Sequence, residues 1–217
     1  MDLASRFDEN YYMNGKSTGV SNYENYRWLP EPTILCARRM MNHLGANHGD
    51  SVLDWGCAKG HYVKALRILG YPAYGYDVSK WAIENCDPTV TRFVGNGGSK
   101  MEEVDWVICK DVLEHVPMGQ INDCIRRFIA LSRKGVLIIV PLADCGGGEY
   151  INPADRSDAT HLIAWTMSQW LSMIQTVIDE MCEPFTVSGG YKLPGVKQAA
   201  EAYPNSTAFI TMRRYHE

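Results

Sequence analysis

The chain has 217 residues, 46% of them hydrophobic and 21% charged, with a formal net charge of −4. That length suits one domain around one core, and the acidic balance disfavours nucleic acid or any other partner held mainly through phosphates. Its seven cysteines are odd in number and never form C-x-x-C, which points to reduced thiols rather than a disulfide framework or zinc knuckle.

The first thirty residues are polar and aromatic, with Tyr11, Tyr12, Tyr23, Tyr26 and Trp28 set among Asn and Gly without a period. They read as a loop-rich arm or short helices. The stretch "MDLASRFDENYY" has no basic region followed by an apolar one, and no eighteen apolar residues run together anywhere. A cytoplasmic, unexported protein with no membrane partner is the expectation. "PTILCARRMMNHLG" follows, with Ile34, Leu35, Met41 and Leu44 at helical spacing, Pro32 near the first turn and Gly45 as the stop.

From Ser51 two periods alternate. Strand "SVLDW" precedes a helix over Tyr62 to Leu69, strand "AYGYD" a short helix from Lys80, and strands "TRFVG" and "VDWVICK" follow. Helix "MGQINDCIRRFIALS" then leads to strand "GVLIIVP". Apolar strands alternating with helices predict an α/β fold with a parallel sheet covered on both faces. After helix "TMSQWLSMIQTVIDEMC", the runs "PFTVSGGY" and "TAFITMRRY" read as an antiparallel pair completing that sheet. One domain over residues 1–217 is expected, divided into an arm or lid (1–30), a ligand-binding core (31–141) and a substrate-side loop with the last strands (142–217).

The stretch "SVLDWGCAKG" carries the first chemical signal. From Gly56 it reads G-C-A-K-G-H, so a dinucleotide fingerprint fails at its second and third glycines. "GKST" at Gly15 to Thr18 lacks both the earlier glycine and the strand of a phosphate loop, since Asn10 stands where that glycine belongs. What remains is D-x-G-x-A-x-G. Asp54 at the strand tip suits a cationic ligand, Gly56 permits close backbone approach, and Gly60 lets the helix pack near the strand. Asp77 ends the next strand, where a carboxylate accepts both hydroxyls of a ribose. The alternatives are a bare tight turn, and an Asp77 that caps the helix ahead of Ser79.

These residues resemble a known family. "VLDWGCAKGHYVKAL" is similar to motif I of class I S-adenosylmethionine-dependent methyltransferases, "GYDVS" to their ribose-binding motif, and "VDWVICKDVLEHVP" to their fourth-strand motif. The resemblance covers Ser51 to Pro141, with weaker echoes in "FDENYY" and "DATHLIAWTMSQWLSMI". It implies a Rossmann-like fold, a central seven-stranded, mostly parallel sheet with an antiparallel last strand and helices on both faces. It also implies S-adenosyl-L-methionine as cofactor. Ala58 departs from the pattern, which has glycine there; its methyl group either narrows the space beside the methionine part or is harmless where φ is negative.

By the same resemblance, Asp54 binds the amino group of the methionine moiety, Gly56 and Ala58 bring main chain against it, and Asp77 takes the ribose with Val78 against the adenine. Asn96 and Gly97, in the loop "GNGG", fall near the adenine ring or form a loop without contacts. Lys110, through its carbonyl, and Asp111 end the fourth strand beside the sulfonium. Tyr11 and Tyr26 lead the aromatic residues expected to close over the cofactor, against a purely packing role.

Two histidines are candidate catalytic residues. His161 in "SDATHLIAW" is read as a loop base facing the crevice, or as a surface residue behind a cap formed by Asp158 or Thr160. His115 is a second base or a capping or core histidine. A metal site from Asp155, Asp158 and His161 is the weaker option, and no metal is assigned. The function expected is methyl transfer to an O or N of a small polar acceptor, such as a sugar or glycan precursor. A protein or nucleic-acid methyltransferase, another transfer from the same cofactor, and a non-catalytic binding module are the alternatives.

Overall fold

The computed structural model describes residues 3–96, 101–145, 148–197 and 202–215. The arm begins with a 3-10 turn, Leu3–Arg6, and holds two short helices, α1 (Glu9–Met13) and α2 (Gly15–Thr18). Asp8 caps α1 by accepting from Tyr11 N at 3.0 Å. Helix α3 (Pro30–Leu44) starts two residues before Pro32 and ends at Gly45, whose φ of 65° meets the left-handed stop that glycine allows without strain.

Then come β1 (Val52–Trp55), α4 (His61–Ile68), β2 (Ala73–Tyr76), α5 (Lys80–Glu84), β3 (Val94–Gly95) and β4 (Val104–Lys110). They are followed by α6 (Ile121–Leu131), β5 (Ser132–Pro141), α7 (Pro153–Arg156), α8 (Met167–Met181), β6 (Phe185–Gly190) and β7 (Thr207–Arg214). The seven strands form one sheet in the order β3-β2-β1-β4-β5-β7-β6. The pairs among β1 to β5 are parallel, and β7 runs antiparallel to both β5 and β6. This is the Rossmann-like arrangement expected.

Both faces of the sheet are covered, which is why its strands read as apolar runs rather than alternations. Val136, Ile138 and Val140 of β5 enter one core cluster with Ile125 and Phe128 of α6 and Trp170 and Ile174 of α8. Leu137 and Ile139 enter the other with Met40 and Leu44 of α3 and Val63 and Leu66 of α4. The alternation of a strand's side chains thus sends neighbours into opposite layers. A capping box starts α8, where the Thr166 hydroxyl and the Gln169 side chain exchange bonds with each other's backbone N–H.

Three local readings change. "TRFVG" is a 3-10 turn over Thr91–Phe93, with only Val94–Gly95 in the sheet. The helix read from "MGQINDCIRRFIALS" begins only at Ile121 as α6, after a 3-10 turn over Met118–Gln120 and an earlier one, Leu113–His115, that holds Glu114 and His115. Ser79, not Asp77, caps α5 by accepting from Ala82 N. All seven cysteines are free thiols. Among the described residues no helix is long and apolar enough to cross a membrane.

Candidate active site

Strand order reverses between β1 and β4, and their carboxyl ends open a crevice there. A cavity of 320 Å³ occupies it, at the lower end of the ~300–1,000 Å³ typical of ligand pockets. Its walls include Asp54, Gly56 and Ala58 after β1, Asp77 and Val78 after β2, Lys110 and Asp111 from β4, and His115. Tyr11 and Tyr26 of the arm line it too.

Asp54 is buried, and its Oδ2 has no hydrogen-bond partner among the described residues. Burial, with Asp77 nearby, raises its carboxyl to about 7, against the opposing pull of the Lys110 ammonium. A buried carboxylate with an open lone pair in a cavity suits a cationic group. Asp77 Oδ2 accepts from Ala58 N and its Oδ1 from Ser79 N, both at 2.7 Å. Each oxygen keeps a further lone pair for a hydroxyl donor. Burial raises this carboxyl also, and the two backbone donors counter it.

Ala58 has φ of 47°, so the condition under which its methyl group is harmless is not met. Gly56, at φ 82°, is required twice over, because a Cβ there would lie 2.2 Å from Val112 Cγ2. Gly60, at φ 74°, begins α4 against Val90 and Val94. Asn96 is exposed at the end of β3 and is not among the residues lining the cavity; Gly97 lies outside the described residues.

At the tip of β4 the Lys110 ammonium pairs with Asp111 Oδ2, and Lys197 reaches Asp111 Oδ1 at 2.7 Å. Burial alone would raise the Asp111 carboxyl, but the two lysines hold it well below the usual range. Asp111 adopts φ of 55°, rare for a residue with a side chain and found where surrounding structure imposes it.

The arm closes the cavity. Phe7, Tyr12 and Tyr23 line it beside Tyr11 and Tyr26, and Tyr12 stacks on Trp81 with ring centroids 5.5 Å apart. Ser79 Oγ donates to the Phe7 carbonyl, Ala159 N to the Val20 carbonyl, and Asn22 Nδ2 to the Ala154 carbonyl. Trp28 packs instead with the α3–α4 layer.

His161 is neither a surface residue nor on the cavity wall: its side chain is 8% exposed, behind His115, with ring centroids 4.7 Å apart. Leu162 N and Ile163 N both donate to the Glu114 carbonyl, which draws the histidine loop onto the turn after β4. Neither Asp158 nor Thr160 caps a helix; Asp158 Oδ1 accepts from Thr160 N and Oγ1. Burial, then the adjacent His161, lowers the His115 imidazole to about 4. Glu114 is 1% exposed, and burial, then Asp111, raises its carboxyl well above the usual range.

Sequence reasoning missed Phe7 and Tyr62, which line the cavity, and Lys197, which pairs with Asp111. Phe7 stands in the quoted "FDENYY" and was discoverable there, whereas nothing local marks Lys197.

Known proteins share the fold and the family. The family described as "Methyltransferase domain" matches residues 33–181. No curated protein matches the chain in sequence. Among solved structures, the chain is similar to 1,6-didemethyltoxoflavin-N1-methyltransferase of Burkholderia thailandensis, bound to 1,6-didemethyltoxoflavin and S-adenosylhomocysteine. That likeness has TM-score 0.64 and 18% identity over 99% of this chain and 88% of that one. It is also similar to magnesium protoporphyrin IX methyltransferase of Synechocystis with S-adenosylmethionine bound (TM-score 0.62, 14% identity, 99% of this chain and 98% of that one). The small RNA methyltransferase HEN1 matches with TM-score 0.62 and 15% identity over 83% of this chain and 25% of its own length.

Proposed function

The chain belongs to the methyltransferase-domain family, whose members depend on S-adenosylmethionine, and from that premise we propose that it methylates an O or N atom of a small polar acceptor, such as a sugar or glycan precursor. The observation that carries this reading is the pair of buried carboxylates, Asp54 and Asp77, opening on one cavity at the switch point of the sheet.

S-adenosylmethionine supplies, when bound, a methyl group already activated on a sulfonium. The protein's task is then placement and exclusion of water. Asp54 holds the ammonium of the methionine part through its unpartnered Oδ2. Asp77, oriented by Ala58 N and Ser79 N, accepts the ribose hydroxyls, and Val78 packs on the adenine. Phe7, Tyr11, Tyr12, Tyr23 and Tyr26 keep water from the reacting groups. His115 on the wall, with Glu114 and His161 behind it, forms the acceptor end. Positioning of this kind contributes ~7–11 kcal/mol, against ~3–5 kcal/mol for a general base, so a poorly marked catalytic base is no obstacle to activity.

A small acceptor is supported by the modest volume of the cavity, 320 Å³, and by the acidic balance of the chain. Both similar enzymes of near-equal length carry small-molecule acceptors in their names. The test is calorimetric binding of S-adenosylhomocysteine, then incubation with labelled S-adenosylmethionine and a panel of hydroxylated and amino acceptors. Tight binding with methyl transfer to a small acceptor is expected; tight binding with no transfer to any of them would point to a binding module.

A further inference from the structure

We infer that Glu114, His115 and His161 form a binding site for one divalent transition-metal cation at the acceptor end of the cavity, where an acceptor oxygen completes its coordination. The inference rests on the methyltransferase reading for the acceptor's part in it, but not for the cation itself.

One ligand atom from each of the three residues lies within 4.8 Å of those of the other two. Glu114 is 1% exposed, and its Oε2 is buried with no hydrogen-bond partner among the described residues. An unpaired carboxylate oxygen in such a place is costly without a counterion or donor.

The two imidazoles are oriented for ligation. His161 Nδ1 lies 2.8 Å from the Asp155 carbonyl oxygen, which only accepts, so Nδ1 carries the proton. Thr160 Oγ1 donates its single proton to Asp158 Oδ1 at 2.6 Å and therefore accepts from His115 Nδ1 at 2.8 Å. Both rings are left with Nε2 as the nitrogen bearing a free lone pair. A backbone carbonyl behind one histidine and a hydroxyl–carboxylate relay behind the other are the supports that ligating histidines use.

Two imidazoles and one carboxylate suit manganese, iron, cobalt, nickel or zinc better than magnesium or calcium, which prefer all-oxygen shells. Asp111 is not counted among the ligands, because Lys110 and Lys197 already occupy its carboxylate. His115 borders the cavity, so coordination positions not filled by protein face the acceptor. There the cation holds a hydroxyl oxygen in line and acidifies it, and the histidines act as ligands rather than as direct bases. The acceptor proton is lost to bulk solvent when its oxygen coordinates the cation, ahead of transfer; the oxygen lone pair then forms the new bond to the methyl carbon, and the carbon–sulfur electron pair stays on sulfur.

The test titrates metal-stripped protein with cobalt(II), followed by its visible absorption, and with manganese(II), followed by spin resonance, with magnesium as the contrast. One equivalent of cobalt is expected to bind saturably, and more tightly than magnesium. Glu114→Gln and His161→Ala weaken binding at least ~10-fold, and Thr160→Val, which removes the hydroxyl linking His115 to Asp158 and no ligand, by about 10- to 100-fold. Absence of saturable uptake by the wild-type chain overturns the inference, as does undiminished uptake by folded His161→Ala. S-adenosylhomocysteine binding, measured on the same samples, reports separately on the cofactor: its absence alongside cobalt uptake defeats the cofactor reading and leaves the cation site standing.

Discussion

Ala58 holds φ at 47° on the wall of the cavity, a conformation that costs a residue with a Cβ ~1–2 kcal/mol. Ala58→Gly relieves that strain but adds ~0.4–1 kcal/mol of unfolded-state entropy. The net gain expected is about 0.5–1 kcal/mol, read as a rise of roughly 1–4 °C in Tm; a lower Tm would show that the methyl group contributes packing that outweighs the strain. The role proposed for Asp54 predicts that cofactor affinity depends on pH. Its carboxyl titrates at about 7 in the empty cavity, facing Asp77 and Lys110, and a bound ammonium favours the ionised form. Affinity for S-adenosylhomocysteine is therefore expected to rise as pH rises through about 7, with proton release below it, measurable by calorimetry in buffers of different ionisation enthalpy. The folded protein binds this proton more tightly than the unfolded chain, whose aspartate titrates near ~3.9. Stability is thus lost as pH rises from about 4 to 7, and Asp54→Asn should remove that part of the profile. Asp77→Ala is expected to weaken S-adenosylhomocysteine binding by about 10- to 100-fold, the worth of hydrogen bonds to a charged group. Unchanged affinity would remove its ribose role.

At the scale of elements, the arm and the loop that carries His161 act together. Val20 and Asn22 bond to Ala159 and Ala154, and the same loop is tied to Glu114 through Leu162 and Ile163. The two short helices α1 and α2 cannot hold themselves in water at such lengths, so their order comes from rings packed over the cavity. A ligand filling the cavity adds contacts to those rings. S-adenosylhomocysteine is expected to slow tryptic cleavage at the exposed Lys16 and Arg27 several-fold relative to the free protein; an unchanged cleavage rate would mean that the arm does not respond to the ligand. The elements that were legible beforehand are the long amphipathic helices α3, α6 and α8 and the buried strands β1, β4 and β5. The short β3 was not, because two residues of strand leave almost no periodicity to read.

For the whole molecule, the net charge of −4 sets an expectation about partners. A nucleic-acid substrate needs phosphate contacts, which make affinity fall steeply with salt. A short RNA is expected to show no salt-dependent binding at physiological ionic strength, and clear salt-dependent retention in a filter assay would favour a nucleic-acid acceptor over a small one. The strand order β3-β2-β1-β4-β5-β7-β6 also explains why the site lies where it does, since only between β1 and β4 do crossovers depart in opposite directions and leave a crevice.

Sequence by itself determined the class of fold and the two acids that line the cavity, since both are written locally. Strand and helix periods are short-range, and Asp54 and Asp77 sit at strand ends beside recognisable turns. Tertiary structure alone decided the sign of φ at Ala58, the pairing of Lys197 with Asp111, and the convergence of Glu114 and His115 with His161. Each of these depends on contacts between segments far apart in the chain, and no local pattern records which distant side chains a folded core brings to the same few ångströms.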